Sequence, residues 1–126
     1  MGDDSSFGSH KGSGNVHQVW PLNVKDATEG VKFDTGKPRY DLIPPEALEE
    51  WAKVLTFGAQ KYADRNWEKG MKWGRVFGAM MRHGWAWWRG EENDPETGLS
   101  HLGHLICCAS FLLTYQKRKV GEDDRG

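Results

Sequence analysis

Five ionisable side chains cluster in the last half of the chain: His83, Glu91, Asp94, His101 and His104. His83 follows Arg82 in a tryptophan-rich stretch, and the other four lie within GEENDPETGLSHLGH, Gly90 to His104. If Asp94 caps a helix that Pro95 opens, then Asp94, His101, His104 and Cys108 follow one another at offsets of seven, three and four residues, on one helical face. Imidazole and carboxylate groups gathered in this way can hold a divalent cation, and packing alone rarely brings so many together. The expected metal set is His83, Asp94, His101 and His104, with Glu91 or Glu96 placed to act as a general base. Structural roles remain open beside it. His83 would also serve as a core imidazole between Ala79 and Trp87, His101 and His104 as interhelical hydrogen-bonding partners, and Cys108 as a small buried hydrophobe.

Anion-binding candidates come from loops and from one helix face. Gly36-Lys37-Pro38-Arg39 sets two cations on a stiff turn, and Lys61, Arg65 and Asn66 cluster beside Trp67, whose ring could stack on a base. The leading glycine and spacing of a phosphate-binding P-loop are missing around TGKP. Arg75, Arg82 and Arg89 recur every seven residues, a charged stripe either facing phosphate or pairing with acidic neighbours. Glu46, Glu49 and Glu50 read as an acidic first turn favoured by the helix dipole, with Glu49 near Lys53.

These residues need a scaffold, and periodicity predicts one that is all-α: a compact bundle of about three helices after an extended N-terminal arm. Residues 1–29 read as a disordered or extended tail, rich in Gly, Ser, Asp and Lys at the start. Short strand-like pieces are expected around residues 30–33 and 39–43. Pro44-Pro45 opens the first helix, with Leu48, Trp51, Ala52, Leu55, Ala59 and Tyr62 as its packing stripe. The second runs from about residue 73 to 89, apolar around most of its circumference, with Gly78 and Gly84 permitting close approach. The third is expected from Pro95 to Lys117, packing through Leu99, Leu102, Leu105, Ile106, Ala109, Leu112 and Leu113. Residues 30–117 form the expected nucleotide-handling domain, and residues 118–126 a polar tail.

Composition excludes several classes. A net charge of -1 supplies no field to attract nucleic acid or an anionic membrane, so stable binding to either is not expected. No apolar run reaches the roughly 18 residues that a bilayer span requires. The adjacent pair Cys107-Cys108 does not resemble a secreted disulfide framework and suits a reducing, cytoplasmic setting. Seven tryptophans exceed what a core of this size needs, so some should line a pocket or the interface of a homo-oligomer.

Residues 30–115 carry KFDTGKPRYDLIP, FGAQKYADRNW, RHGWAWWRGE and DPETGLSHLGH in order. This run resembles the phage domain family named after dATP/dGTP diphosphohydrolase, its N-terminal domain. The resemblance implies an all-helical, metal-dependent pyrophosphohydrolase of the MazG-like kind. It would cleave a purine dNTP to dNMP and pyrophosphate in the host cytoplasm and so remodel the nucleotide pool. Glu46 to Glu49 and Glu91 to Asp94 have the internal spacings of the ExxE and ExxD pairs of MazG-like enzymes, although a longer interval separates them. Triphosphate hydrolysis points to magnesium or manganese, and the imidazole-rich set also suits zinc. On this reading Lys37, Arg39, Lys61, Arg65, Asn66, Trp67 and Arg82 bind substrate. An alternative is a phage protein that sequesters a signalling nucleotide of host immunity without catalysis, and a third reading is a structural domain that docks another phage protein.

Overall fold

A computed structural model of the chain describes Lys25 and residues 27–126. The expected tail of residues 1–29 therefore lies almost wholly outside the described residues. The chain divides into two units at Pro38. In the first, Lys37 N–H donates to the Asp34 carbonyl at 3.0 Å around Gly36, whose φ of +83° a side chain would strain. The second, Arg39–Gly126, is an all-α bundle of α1 (Pro45–Lys61), α2 (Trp73–Trp88) and α3 (His101–Arg118).

The strand-like pieces are absent. No strand occurs among the described residues, and Tyr40–Leu42 forms a 3-10 turn instead. The reason is local: Leu42 N–H and Ile43 N–H close back onto the carbonyls of Arg39 and Tyr40 at 3.1 and 3.2 Å, and an extended piece would have no partner to satisfy its backbone.

α1 begins as expected, with Pro45 at its first helical position, where a missing N–H costs nothing. Its inner face carries Ala47, Trp51, Val54, Leu55 and Gly58, all partly buried. Leu48, Ala52 and Tyr62, placed by periodicity in the packing stripe, are exposed. α3 is the central helix and packs on both α2 and α1. A Cβ on Gly103 would meet the Glu50 carbonyl oxygen at 3.2 Å, so a glycine there lets α1 and α3 cross closely.

α3 starts at His101, six residues later than expected from Pro95. Ser100 is the N-cap, its Oγ accepting from Leu102 N–H and Gly103 N–H. Its buried face is also rotated from the aliphatic stripe: His101, Gly103, Cys107 and Tyr115 are buried, whereas Leu102, Ala109 and Leu113 are exposed. The inward face is the one that holds the histidines and meets the aromatic residues, and aliphatic periodicity alone could not identify it.

Residues 118–126 fold back on α2. Trp73 N–H donates to the Glu122 carbonyl at 2.9 Å, and Asp124 Oδ1 accepts from Gly74 N–H at 2.8 Å. Lys72 offers no side-chain cap, so Asp124 satisfies an orphan amide of α2 from fifty residues away. Gly121 makes this approach feasible, since a methyl group there would run into the Met71 carbonyl.

Candidate functional site

The site forms where α2 ends, a twelve-residue loop turns, and α3 begins. Val76, Ala79, His83 and Ala86 lie on the packed face of α2, so helical spacing alone directs His83 toward α3. Gly90, at φ +104°, ends α2 in a Schellman motif: its N–H donates to the Trp87 carbonyl, and Glu91 N–H donates to the Ala86 carbonyl. Glu91 is thereby held three residues past the end of α2.

The loop that follows is a closed turn, which corrects the expected helix start. Asp94 Oδ1 accepts from Glu96 N–H at 2.9 Å, Gly98 N–H donates to the Asp94 carbonyl, and Asp94 N–H donates to the Leu99 carbonyl. Pro95 and Gly98, the latter at φ +74°, suit a turn, so Asp94 caps that turn and not α3. Asn93 and Ser100 face each other as an antiparallel bridge, and His101 N–H donates to the Glu92 carbonyl.

This folding brings three histidines together. The rings of His83 and His104 stack with centroids 4.4 Å apart and planes 4° apart. His101 is buried, with Nδ1 2.9 Å from His83 Nδ1 and Nε2 2.7 Å from Glu91 Oε1. His104 Nε2 lies 2.8 Å from Thr97 Oγ1 and 3.7 Å from Asp94 Oδ2. His83, Asp94 and His104 each offer a donor atom within 4.8 Å of the others, and among the described residues no other group of three does so. His101 is not one of the three, and both its ring nitrogens are engaged.

Burial, and then the neighbouring His104, hold the His83 imidazole down to about 4, against the opposing pull of Asp94. His104 is lowered for the same first reason, burial, with Asp94 again opposing. Both rings are therefore neutral near pH 7 and keep a lone pair for a cation. Burial pushes Cys107 up to about 12 and Cys108 up to about 11, so neither supplies a thiolate.

An open cleft of about 610 Å³ adjoins the triad. Of the residues singled out by sequence, it takes in Arg82, His83, Glu91, Asp94, Glu96 and His101. Its wall also includes Arg89, which the seven-residue arginine stripe offered as phosphate-facing, and Trp85, which sequence reasoning did not assign to a site. The signal for Trp85 was present, since it lies between Arg82 and Arg89, about one helical turn after Arg82.

The other anion-binding candidates of the unit Arg39–Gly126 lie elsewhere. Lys61 Nζ sits 5.3 Å from the Tyr62 ring centre, and Arg65 and Arg118 pair with Glu68 at 3.4 and 3.0 Å. Asn66 opens a 3-10 turn, and Trp67 stacks on Phe111 at 4.2 Å while its carbonyl accepts from the Tyr115 hydroxyl. Tyr115 is fourteen residues beyond His101, roughly 21 Å along α3 at about 1.5 Å per residue. Arg39 pairs with Asp41 at 2.7 Å, and Lys37 belongs to the unit that ends at Pro38. On α1, Glu50 pairs with Lys53 at 3.0 Å.

Comparison with known proteins gives two matches. The model of the family described as "dATP/dGTP diphosphohydrolase, N-terminal" matches residues 27–125. A protein of Salmonella phage PMBT28 named dATP/dGTP diphosphohydrolase is 38% identical over 96 residues, covering 76% of this chain. The chain spans 33% of that relative's length. No solved structure matches.

Proposed function

This chain belongs to the dATP/dGTP diphosphohydrolase N-terminal family, and from that membership we propose that it is a metal-dependent hydrolase of purine deoxynucleoside triphosphates, releasing dNMP and pyrophosphate. The observation that carries the reading is the His83, Asp94 and His104 triad beside a cleft that also holds two arginines and a tryptophan. The triad suits a divalent ion: two neutral, partly buried imidazoles and a carboxylate side chain only 14% exposed. Such a mixed set favours manganese or zinc over magnesium, whose sites are built from oxygen. A bound cation would neutralise phosphate charge and acidify a water.

The chain's own residues would do the rest. Arg82 and Arg89 offer guanidinium groups to the phosphates, and Trp85 offers a ring face to the purine. A cleft of about 610 Å³ falls within the range of about 300–1,000 Å³ usual for ligands of this size. Because the Glu91 carboxylate is engaged by His101, Glu96 is the free carboxylate at the cleft to take a proton from water as it attacks. The oxygen of water adds to phosphorus, the bridge between the first and second phosphates breaks, and pyrophosphate departs. In the cytoplasm of an infected host this reaction would reshape the purine dNTP pool. Among the described residues no helix is long and apolar enough to cross a membrane.

The test is incubation of the purified chain with each dNTP and NTP plus Mg, Mn, Zn or no metal, with products resolved by ion-pair chromatography. Metal-dependent release of dAMP or dGMP with pyrophosphate is expected. Recovery of every nucleotide intact would overturn catalysis, and nucleotide retained tightly by the same protein would then favour sequestration.

A further inference from the structure

We infer that His101 is a positioning residue: with Glu91 it forms a hydrogen-bonded chain that fixes the tautomer of His83 and leaves Nε2 as the His83 nitrogen with a free lone pair. The inference deepens the metal-site reading above, which supplies the ion. It rests on geometry that a four-ligand site does not account for. A ligand nitrogen needs a free lone pair, yet His101 is 4% exposed and both its ring nitrogens are already within hydrogen-bonding distance of protein groups.

The proton positions follow from one end of the chain. An ionised carboxylate only accepts, so the hydrogen in the 2.7 Å contact between Glu91 Oε1 and His101 Nε2 belongs to His101 Nε2. A singly protonated His101 ring then has a bare Nδ1. That nitrogen lies 2.9 Å from His83 Nδ1, and two nitrogens at this distance need one hydrogen between them. His83 Nδ1 must supply it, which leaves His83 Nε2 as the nitrogen with a lone pair. A carboxylate at one end and a bare imidazole nitrogen at the other are thus connected through a buried ring, the arrangement that elsewhere orients metal-bound histidines.

The sequence explains how this chain can form. His83 sits on the packed face of α2, the Schellman turn at Gly90 returns Glu91 toward the bundle, and the Ser100 cap places His101 at the first position of α3. Glu91 is half-exposed, with its side chain 52% accessible, so its replacement leaves the packing of α2 and α3 in place.

The experiment reads the proton directly, by long-range 15N–1H correlation of the histidine rings in the metal-free chain, and reads binding separately by titration with Co(II) alone. In the wild-type chain His83 is expected with its proton on Nδ1 and His101 with its proton on Nε2. Glu91→Gln keeps an acceptor oxygen and is expected to preserve this pattern and the wild-type Co(II) affinity. Glu91→Ala is expected to scatter His83 between tautomers and to weaken Co(II) binding by about 10- to 100-fold, the range for lost outer-shell partners. A His83 ring protonated at Nε2 in the wild-type chain would overturn the inference, as would Glu91→Ala spectra unchanged from wild type. Wild-type protein that shows the expected tautomers but binds no Co(II) would support the hydrogen-bonded chain while removing the metal-site reading.

Discussion

Residue by residue, the candidate site combines partly buried neutral imidazoles with one carboxylate, and this has a measurable cost in acid. An unfolded histidine titrates near 6.5, whereas folding holds His83 down to about 4. Between those values the unfolded chain binds protons that the folded chain does not, so stability falls as pH drops through this window and is fully present above it. Thermal unfolding of the metal-free chain from pH 8 to 4 should show a falling Tm below about 6.5, with a shallower decline in His83→Gln. A Tm that does not change across the window would show that burial of His83 is not maintained in solution. The arginines provide a second prediction. Arg82→Ala or Arg89→Ala should raise KM for dATP by about tenfold, roughly the 1.4 kcal/mol of one charge-assisted contact at a solvent-open cleft. Lys61→Ala and Arg65→Ala should leave KM near wild type, because those side chains lie at the far end of α3. The opposite pattern of KM changes would move the phosphate site to that end.

The elements hold the site through their termini. α2 delivers His83 only if its first turn is held, and the group that caps that turn is Asp124, reaching Gly74 N–H from the chain's last residues. Asp124→Ala should cost about 1 kcal/mol, the usual worth of a cap, and lower Tm by about 4–8 °C for a domain of this size. Calorimetry would check it, and an unchanged Tm would mean that residues 118–126 do not hold α2 in solution. The contact was not legible in sequence because nothing local links positions 74 and 124. By contrast Ser100, Gly90 and Pro45 mark element ends through chemistry that short sequence does carry. The error at Pro95 was one of choice between two valid signals: Asp-Pro opens a helix or a turn, and Gly98 four residues after Asp94 decided for the turn.

For the whole molecule, the buried interior is small. Among the described residues only Val76, Ala86, His101, Gly103, Cys107 and Tyr115 are buried, while Phe77, Trp85 and Trp88 are 51%, 54% and 71% exposed. Phe77, Met81, Trp85 and Trp88 lie within about 80° of one another on α2 at about 100° per residue, opposite the face that packs on α3. We propose that a second copy of the chain covers the part of this stripe around Phe77 and Trp88, leaving Met81 and Trp85 to the cleft. Sedimentation velocity should find an oligomer, and Phe77→Glu with Trp88→Glu should release monomers while leaving the cleft intact. Wild-type chains that sediment as monomers at every concentration would remove the proposal.

Sequence alone determined the element order, the three helices and the gathering of histidines at one end of α2 and α3. Those features depend on spacings of three, four and seven residues and on prolines at helix starts, all local properties of a helix. Tertiary structure decided which histidine could face an ion, since that depends on His101 meeting Glu91 and His83 across the turn. It also decided which cations share the cleft, because Arg82 and Arg89 lie one helical face from His83, whereas Lys61 and Arg65 belong to the other end of the bundle. Position along a helix can be read from a sequence, but what stands opposite it is set by packing between segments distant in the chain.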